Sequence, residues 1–352
     1  MDCAALEFQT YDRFEPVLPE WEALALASRN VFATPEWIRL WWECFGGSES
    51  LRLAAVRAPG GRLEALVPLV IRRRGPLRVA RFAGHGIGDM LGPIHASNGI
   101  GPTLLERVLA EVVTDWDVFI GERLPGDGAW APALGAAELT RDSNPFLPLG
   151  RWPSWDDYLA GLSSKLRYEM RHDEPSLARR HRIHFRTTRD PGQLSSDLDV
   201  FFSLHEARWT GRSSFTPMEA FHRRFAAIAL DRGWLRLWIL EVDDRPVAAR
   251  YDFEFGRVYN AYNGGRDPAW NKAGVGLVLR AHTMREALDD GVEEYRFLRG
   301  GEAYKKRFLT EDAGLVTIAG ARTWLGRCAR RAGALLNENG WLRKMARPLV
   351  NG

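Results

Sequence analysis

The sequence predicts an α+β protein made of two similarly built domains, each a mixed sheet flanked by helices. Three observations carry this. The chain has 352 residues, 45% of them apolar, which at roughly 150 residues per domain suits two cores. One order of elements, β-α-α-β-β-β-α-β, can be read twice along it. A Pro- and Gly-rich stretch near Pro145–Trp155 separates the two readings. The expected division is residues 1–150, residues 151–321 and a basic tail at 322–352.

In the first half, Leu6–Tyr11 alternates as a strand does. Pro16–Ser28 and Pro35–Phe45 read as helices, each with proline near its start. Leu51–Val56, Leu63–Ile71 and Leu77–Ala83 read as strands, and Gly60-Gly61 marks the turn between the first two. After a Gly-rich loop come a helix, Pro102–Thr114, and a buried strand, Trp116–Ile120. In the second half, Asp156–Arg182 reads as a charged helix interrupted near Pro175. Ile183–Thr188 is a strand, and Ser195–Trp209 and Pro217–Arg232 are helices. Trp234–Glu241, Pro246–Phe255 and Val258–Asn263 are strands, with Asp243-Asp244-Arg245 and Gly256 at their turns. A helix, Val275–Asp290, leads to strand Glu293–Leu298. A short helix, Glu302–Phe308, and a strand, Leu315–Ala319, close the second domain.

Composition narrows the function classes. Lys+Arg is 48 against 45 for Asp+Glu, which excludes a globally basic nucleic-acid coat and an acidic disordered chain. No specific nucleic-acid partner is expected. Cys3, Cys44 and Cys328 form no CxxC pair, which argues against a zinc ribbon or a disulfide scaffold and fits a reducing cytosol. His181 and His184 have no acidic or cysteine partner at metal spacing, so no metal site is expected. The longest apolar stretch, around Leu63–Ile71, is far below the ~20 residues of a membrane helix. The N-terminus lacks the basic-then-apolar order of a signal peptide. A cytoplasmic protein is expected. Its tail carries seven basic residues between Arg322 and Arg347 against Glu338 alone, interleaved with Trp324, Leu325, Leu335, Leu336, Trp341 and Leu342. That pattern suits either peripheral contact with an anionic membrane face through 322–347 or a helix packed on the fold. The 14 tryptophans suit sugar recognition, or simply core and interface.

Three stretches of the second half are distinctive: His205-Glu206-Ala207-Arg208-Trp209, Pro246-Val247-Ala248-Ala249, and Arg296–Lys305. The last has the form FLRGxExYK. The first half adds Phe32–Trp37 followed by Trp41-Trp42. On these residues the chain resembles the GNAT-like acetyltransferases of the CelD type, associated with cellulose biosynthesis, which are related to the tandem FemAB-type transferases. The resemblance runs over roughly residues 15–320. One departure is Arg296, where the family usually has Asp. The resemblance implies tandem GNAT-like domains, a first domain that is a degenerate copy shaping a cleft, and an acyl-CoA site in the second.

It also implies roles for particular residues. GNAT enzymes bind the pyrophosphate of acetyl-CoA, or another acyl-CoA, at a loop of Arg or Gln, two residues, then Gly-x-Gly or Gly-x-Ala. Here Asn271, Lys272, Ala273, Gly274, Val275 and Gly276 stand at that place. The physical need is plain: a first helical turn offers unpaired N–H groups and the positive end of the dipole, and glycine lets the phosphate approach. The other reading is an ordinary tight turn. Asn98-Gly99-Ile100-Gly101 precedes a helix in the first half, without a FLRGxExYK stretch after the next strand.

Tyr304 stands where many GNAT enzymes carry a tyrosine that protonates the leaving thiolate, a task for which a phenol of pKa ≈ 10 is suited; it reads equally as a packing residue. Backbone N–H groups of strand Val258–Asn263, including Tyr262, are placed to stabilise the oxyanion. Glu254 is a candidate base for the acceptor amine, with Asp252 on the same sheet face, and otherwise an exposed face residue. Glu302 is a catalytic candidate or a helix-start carboxylate. Arg299, Lys305, Lys306 and Arg307 form a basic cluster that meets an anionic ligand or lies in solvent. The expected function is acyl-CoA-dependent N-acyl transfer to a small-molecule or glycan-like amine, such as an amino sugar or a cell-envelope polysaccharide precursor. The alternatives are a FemAB-like aminoacyl-tRNA-dependent transferase and a non-catalytic binding partner in polysaccharide assembly.

Overall fold

The computed structural model describes residues 6–96, 100–209, 213 and 215–336. The chain divides into two units, residues 1–143 with 313–352, and residues 144–312.

The first unit begins with β1 (Glu7–Tyr11), α1 (Leu18–Ser28) and α2 (Pro35–Phe45). Thr34 caps α2 by accepting from the Trp37 amide, with Pro35 in the first turn, as expected of a helix start. Trp21, Trp37 and Trp41 are fully buried beneath these helices. Then come β2 (Ser50–Arg57), β3 (Leu63–Arg74), β4 (Leu77–Phe82), β5 (Ile94–His95), α3 (Gly101–Arg107), β6 (Val118–Pro125), α4 (Trp130–Ala133) and β7 (Ala137–Asp142). Strands β1 to β4 are antiparallel neighbours, and β6 joins β4 in parallel.

The second unit repeats that sheet. It comprises β8 (Phe146–Leu147), α5 (Trp155–Gly161), α6 (Ser164–Ala178), β9 (Ile183–Thr187), α7 (Pro191–Trp209), α8 (Glu219–Asp231), β10 (Leu235–Val242), β11 (Arg245–Phe255), β12 (Val258–Arg266), α9 (Val275–Asp289) and β13 (Glu294–Arg296). The sheet order is β8-β13-β12-β11-β10-β9, with β13 parallel to β12. The charged helix expected over 156–182 is broken at Leu162, which is extended, and Ser163 caps the second piece. Pro175 lies inside α6, near its end, and does not interrupt it.

Two last elements correct the expected division. Strand β14 (Leu315–Ala321), expected to close the second domain, lies between β6 and β7 in the first unit's sheet. Its Val316 and Ile318 are buried in the first unit's core, and Gly126 lets the incoming backbone approach: a β-carbon there would lie 2.1 Å from the Ala313 carbonyl oxygen. Strand β8, read as linker, instead pairs with β13 in the second unit's sheet. The tail begins as α10 (Trp324–Leu336). Trp324 is 71% exposed and Leu325 is exposed beside Arg327 and Arg331; residues 337–352 lie outside the described residues. No described helix is long and apolar enough to cross a membrane.

What matters for a site is how β12 leaves its neighbours. Tyr251 faces Asn263 while Phe253 faces Asn260, so Asp252 alone opposes Ala261 and Tyr262. That is a β-bulge, which bends and twists the strand. On its other edge β12 pairs with β13 only along Val258–Asn260, and beyond that point the two part. A buried network sits at the bulge. Arg250 grips Asp252 through two bonds of 2.6 and 2.9 Å, Tyr259 donates to Asp252 at 3.1 Å, and the Tyr259 and Tyr295 rings stack at 4.8 Å. Burial works against the Arg250 charge, but the Asp252 carboxylate outweighs it and raises the pKa.

Removing one partner of a buried ion pair strands the other. Asp252→Ala is expected to cost about 3–5 kcal/mol in urea unfolding of the second unit. Adding Arg250→Met is expected to recover much of it. A double variant no more stable than Asp252→Ala would contradict a structural role for the pair.

Candidate active site

Where β12 parts from β13, a cleft of about 390 Å³ opens. Its walls come from β11 (Ala248–Arg250), the end of β12 (Gly264–Arg266), the loop and first turns of α9, Arg208 at the end of α7, and the Tyr304–Phe308 turn.

The α9 start is built by local rules. Asp267 caps the preceding 3-10 turn through the Ala269 amide. Gly274 then takes φ +66 as N-cap of α9, a conformation that favours glycine. Its carbonyl accepts from Leu277 and Val278 at 2.8 and 3.0 Å. The amides of Val275 and Gly276 have no partner among the described residues, so the first turn keeps two free donors at the positive end of the helix. Arg266 reaches over this turn. A β-carbon on Gly276 would lie 3.3 Å from its Cδ and 4.0 Å from its Nε and Nη1, and its Nε donates to Asn271 at 2.6 Å.

Arginine dominates the walls. Arg208 donates to the Gly264 carbonyl at 3.1 Å. It arrives there because Gly265 lets the α7 backbone touch β12: a β-carbon on Gly265 would stand 2.2 Å from the His205 nitrogen. Arg280, one turn along α9 from Gly276 and so on the same face, lies over the Phe297 and Tyr304 rings at 5.4 and 5.2 Å and donates to the Tyr304 hydroxyl at 3.3 Å. Arg250 is neutralised by Asp252, and Arg307 pairs with Glu169. Arg208, Arg266 and Arg280 have no carboxylate within ion-pair distance among the described residues. Burial, then Arg266, Arg280 and Arg250 nearby, lower the Arg208 pKa, with the Tyr304 hydroxyl partly opposing them. Among the described residues, no Asp, Glu or His lines the cleft.

Of the residues singled out in the sequence, Asn271, Gly274, Val275, Gly276 and Tyr304 come together here. Arg307 of the basic cluster also lines it, held by Glu169; the other candidate site residues do not. Lys272 is exposed, and Ala273 packs against the core around Val275 and Val278. The Tyr262 ring lies among Phe215, His222 and Tyr251. Arg299 is exposed, and its carbonyl accepts from Lys305 at 3.1 Å. Glu254 is misplaced for a base. It sits four residues beyond Arg250, about 14 Å along the strand, and is held by Arg236 at 2.9 Å. Asp252, read as its companion on an open face, is fully buried. Glu302 bonds Lys305 at 2.9 Å; partial burial raises its pKa, but the Lys305 contact and the Arg208 charge leave it lowered, which makes it a poor base.

Lys305 corrects the basic-cluster reading. It is 3% exposed, and its ammonium donates to the carbonyls of Leu298, Arg299 and Gly300 at 3.0, 3.1 and 3.2 Å. Leu298 and Gly300 have φ of +57 and +127. The lysine thus clamps an irregular loop and presents Tyr304, its neighbour. Arg296, where the family carries Asp, pairs with Glu294. Sequence reasoning missed Arg266 and Arg280, and gave Arg208 and Arg250 no role. The helical spacing from Gly276 to Arg280 was the available signal.

One contact opposes an anion at α9. Asp173 of α6 places Oδ2 2.9 Å from where a Gly274 β-carbon would be. Burial, then Glu169, raise its pKa.

In the first unit the matching helix start is filled. Asn98 and Gly99 lie outside the described residues. A β-carbon on Gly101 would meet the Trp130 ring at 2.7 Å and His95 Nε2 at 3.0 Å.

Comparison with known proteins agrees with this geometry. Residues 164–306 match the family described as "Acetyltransferase (GNAT) domain". The second unit therefore carries a GNAT domain, and the enzyme class is that of a GNAT N-acyltransferase. A crystal structure of FemX is similar with TM-score 0.64 at 11% identity, over 89% of this chain and 97% of that one. A conserved protein of unknown function from Bacteroides thetaiotaomicron is similar at 0.58 and 12%, over 90% and 100%. The C-terminal domain of a putative lysylphosphatidylglycerol synthetase from Agrobacterium fabrum is similar at 0.55 and 11%, over 92% and 97%. These likenesses show the fold. No curated protein matches the chain in sequence.

Two variants probe the α9 seat. Gly274 has positive φ and tolerates no side chain without strain, so Gly276 is the cleaner site. Gly276→Glu puts a carboxylate beside the free amides and Arg266 and is expected to abolish coenzyme A binding in calorimetry with little change in Tm. Asp173→Asn is expected to tighten binding. Asp173 is anionic above its raised pKa and neutral below it, so the gain should be full at high pH and vanish as pH falls through that pKa. A pH-independent gain, or none, would remove Asp173 from the seat.

Proposed function

We propose that the chain is an acyl-CoA-dependent N-acyltransferase, with acetyl-CoA as the donor and an amine of an amino sugar or cell-envelope precursor as the acceptor. One observation carries this reading: the two free amides of the α9 first turn, with Arg266 over them, open onto the cleft that holds Tyr304. That arrangement suits a pyrophosphate whose tail runs toward the phenol. The FLRGxExYK stretch supports placing the chain with the CelD-type relatives.

The chemistry is direct. The neutral amine attacks the thioester carbonyl carbon. The tetrahedral oxygen is met by β12 backbone donors near the bulge. The carbon–sulfur bond breaks, and the thiolate takes the Tyr304 proton, which the phenolate later regains from the protonated product nitrogen through solvent. Tyr304 suits this because its hydroxyl accepts from Arg280, leaving its own proton to give. The described cleft walls carry no carboxylate or imidazole base, and their guanidinium groups supply a substitute: positive surroundings disfavour an ammonium ion and favour the neutral amine.

Two outcomes follow. Tyr304→Phe should leave acyl-CoA affinity nearly unchanged and slow single-turnover acyl transfer by roughly 10²-fold; an unchanged single-turnover rate would remove the tyrosine from the mechanism. At saturating acyl-CoA, the kcat/KM of wild type for the acceptor should rise tenfold per pH unit up to the acceptor's own pKa, with no break in the carboxylate range. A break there would reveal a base outside the cleft walls.

A second reading, aminoacyl transfer from tRNA as in FemAB-type enzymes, is favoured by the FemX likeness in fold. Competition separates the two: aminoacyl-tRNA should not displace coenzyme A from an acyl-CoA enzyme. The exposed Trp324 and Leu325 beside Arg327 and Arg331 support peripheral contact with anionic membrane, which vesicle co-sedimentation tests.

A further inference from the structure

Three guanidinium groups without a carboxylate line one cleft, and a pyrophosphate on α9 answers only one of them. Arg266 lies over the α9 first turn. Arg208 stands at the end of α7 and Arg280 one turn along α9, bonded to Tyr304. Each spends one of its five N–H donors on the protein: Arg208 on the Gly264 carbonyl at 3.1 Å, Arg280 on the Tyr304 hydroxyl at 3.3 Å. Both are held in place. Arg208 lies 4.9 Å over the Trp209 ring, and Arg280 lies over Phe297 and Tyr304. Glu302, which feels the Arg208 charge, is already bonded to the buried Lys305. Arg250 Nη1 also crowds this corner, 3.5 Å from the place of a Gly264 β-carbon, with Arg208 Nη1 at 4.0 Å.

We propose that Arg208 and Arg280 form a second anion seat beside Tyr304, which takes a carboxylate or phosphate carried by the reacting partners in addition to the pyrophosphate on α9. The inference deepens the acyl-CoA reading and rests on it for the pyrophosphate's place. Fixed like charges repel one another, and a ligand anion relieves that repulsion while filling planar donor forks suited to carboxylate and phosphate. Burial and the surrounding arginines lower the Arg208 pKa, in keeping with a cluster short of negative charge. The anion has two possible sources. It is either the far end of the acyl group, as in a dicarboxylic monothioester, or a substituent of the acceptor amine.

The test uses the full chain with Arg208→Gln, Arg280→Gln and, as a variant of the other seat, Gly276→Glu. The first arm is free of coenzyme A. Succinate and inorganic phosphate are expected to raise the Tm of wild type and of Gly276→Glu, and to lose that effect in Arg208→Gln and Arg280→Gln. The second arm compares donors. If the acyl group is the source, succinyl-CoA binds at least about tenfold more tightly than butyryl-CoA, the scale of a hydrogen-bonded charge, and both arginine variants erase the preference while free coenzyme A keeps its affinity. The third arm compares acceptors. If the acceptor is the source, amines carrying carboxylate or phosphate are acylated in preference to their neutral amides, and that preference disappears in the variants.

Absence of arginine-dependent stabilisation by either anion, together with no preference by charge in donors or acceptors, overturns the seat. So does an equal loss of affinity for free coenzyme A and every acyl-CoA in the arginine variants, which would assign both arginines to the nucleotide phosphates. If wild type binds no coenzyme A but is stabilised by succinate through Arg208 and Arg280, the seat stands and the donor reading falls.

Discussion

Like charges cannot be gathered in a half-buried cleft unless each is held, and much of the second unit does that holding. Arg250 needs Asp252, and Asp252 takes a further bond from Tyr259, whose ring stacks on Tyr295 across the β12–β13 pair. Arg208 reaches the cleft only because Gly265 lets α7 lie backbone-to-backbone on β12. Arg280 rests on two aromatic rings. Glu302, which feels the Arg208 charge, is tied to Lys305, which is fully engaged with the loop before it. The outcome is a corner rich in fixed donors, with no acid among its described lining residues, where a polyanion can enter and a protonated amine is disfavoured.

The fold explains why this corner lies where it does. The bulge at Ala261–Tyr262 and the early end of the β12–β13 pairing open the sheet at one point. Helix α9 starts just past that opening, so its free amides face the gap. The first unit has the same run of four antiparallel strands and a parallel fifth. Its matching helix start is occupied by Trp130 and His95, so the two units share a sheet plan without sharing the cleft.

Much of the element order was legible because the signals are local. Period-two alternation, Pro at helix starts and Gly-rich turns located most strands and helices, including β12, α9 and the Gly274–Gly276 turn. Non-local pairing was not legible. Val316 and Ile318 alternate as a strand wherever they pair, and nothing in their letters sends β14 to the first unit's sheet. Glu254 and Lys305 were misread for one reason: periodicity says which face a side chain shares, not which partner waits there. Arg236 claims the first, and three carbonyls claim the second. Arg208, Arg266 and Arg280 come from a helix end, a strand end and a helix interior, so only folding shows that they converge.

The central claim is that the α9 start of the second unit, and not the α3 start of the first, receives the donor's pyrophosphate. Hydrogen–deuterium exchange of the full chain with and without saturating coenzyme A tests it directly. The account predicts slowed exchange at the Val275 and Gly276 amides and through the first turns of α9, with residues 101–107 unchanged. Protection at 101–107 with none over 275–280 would contradict it.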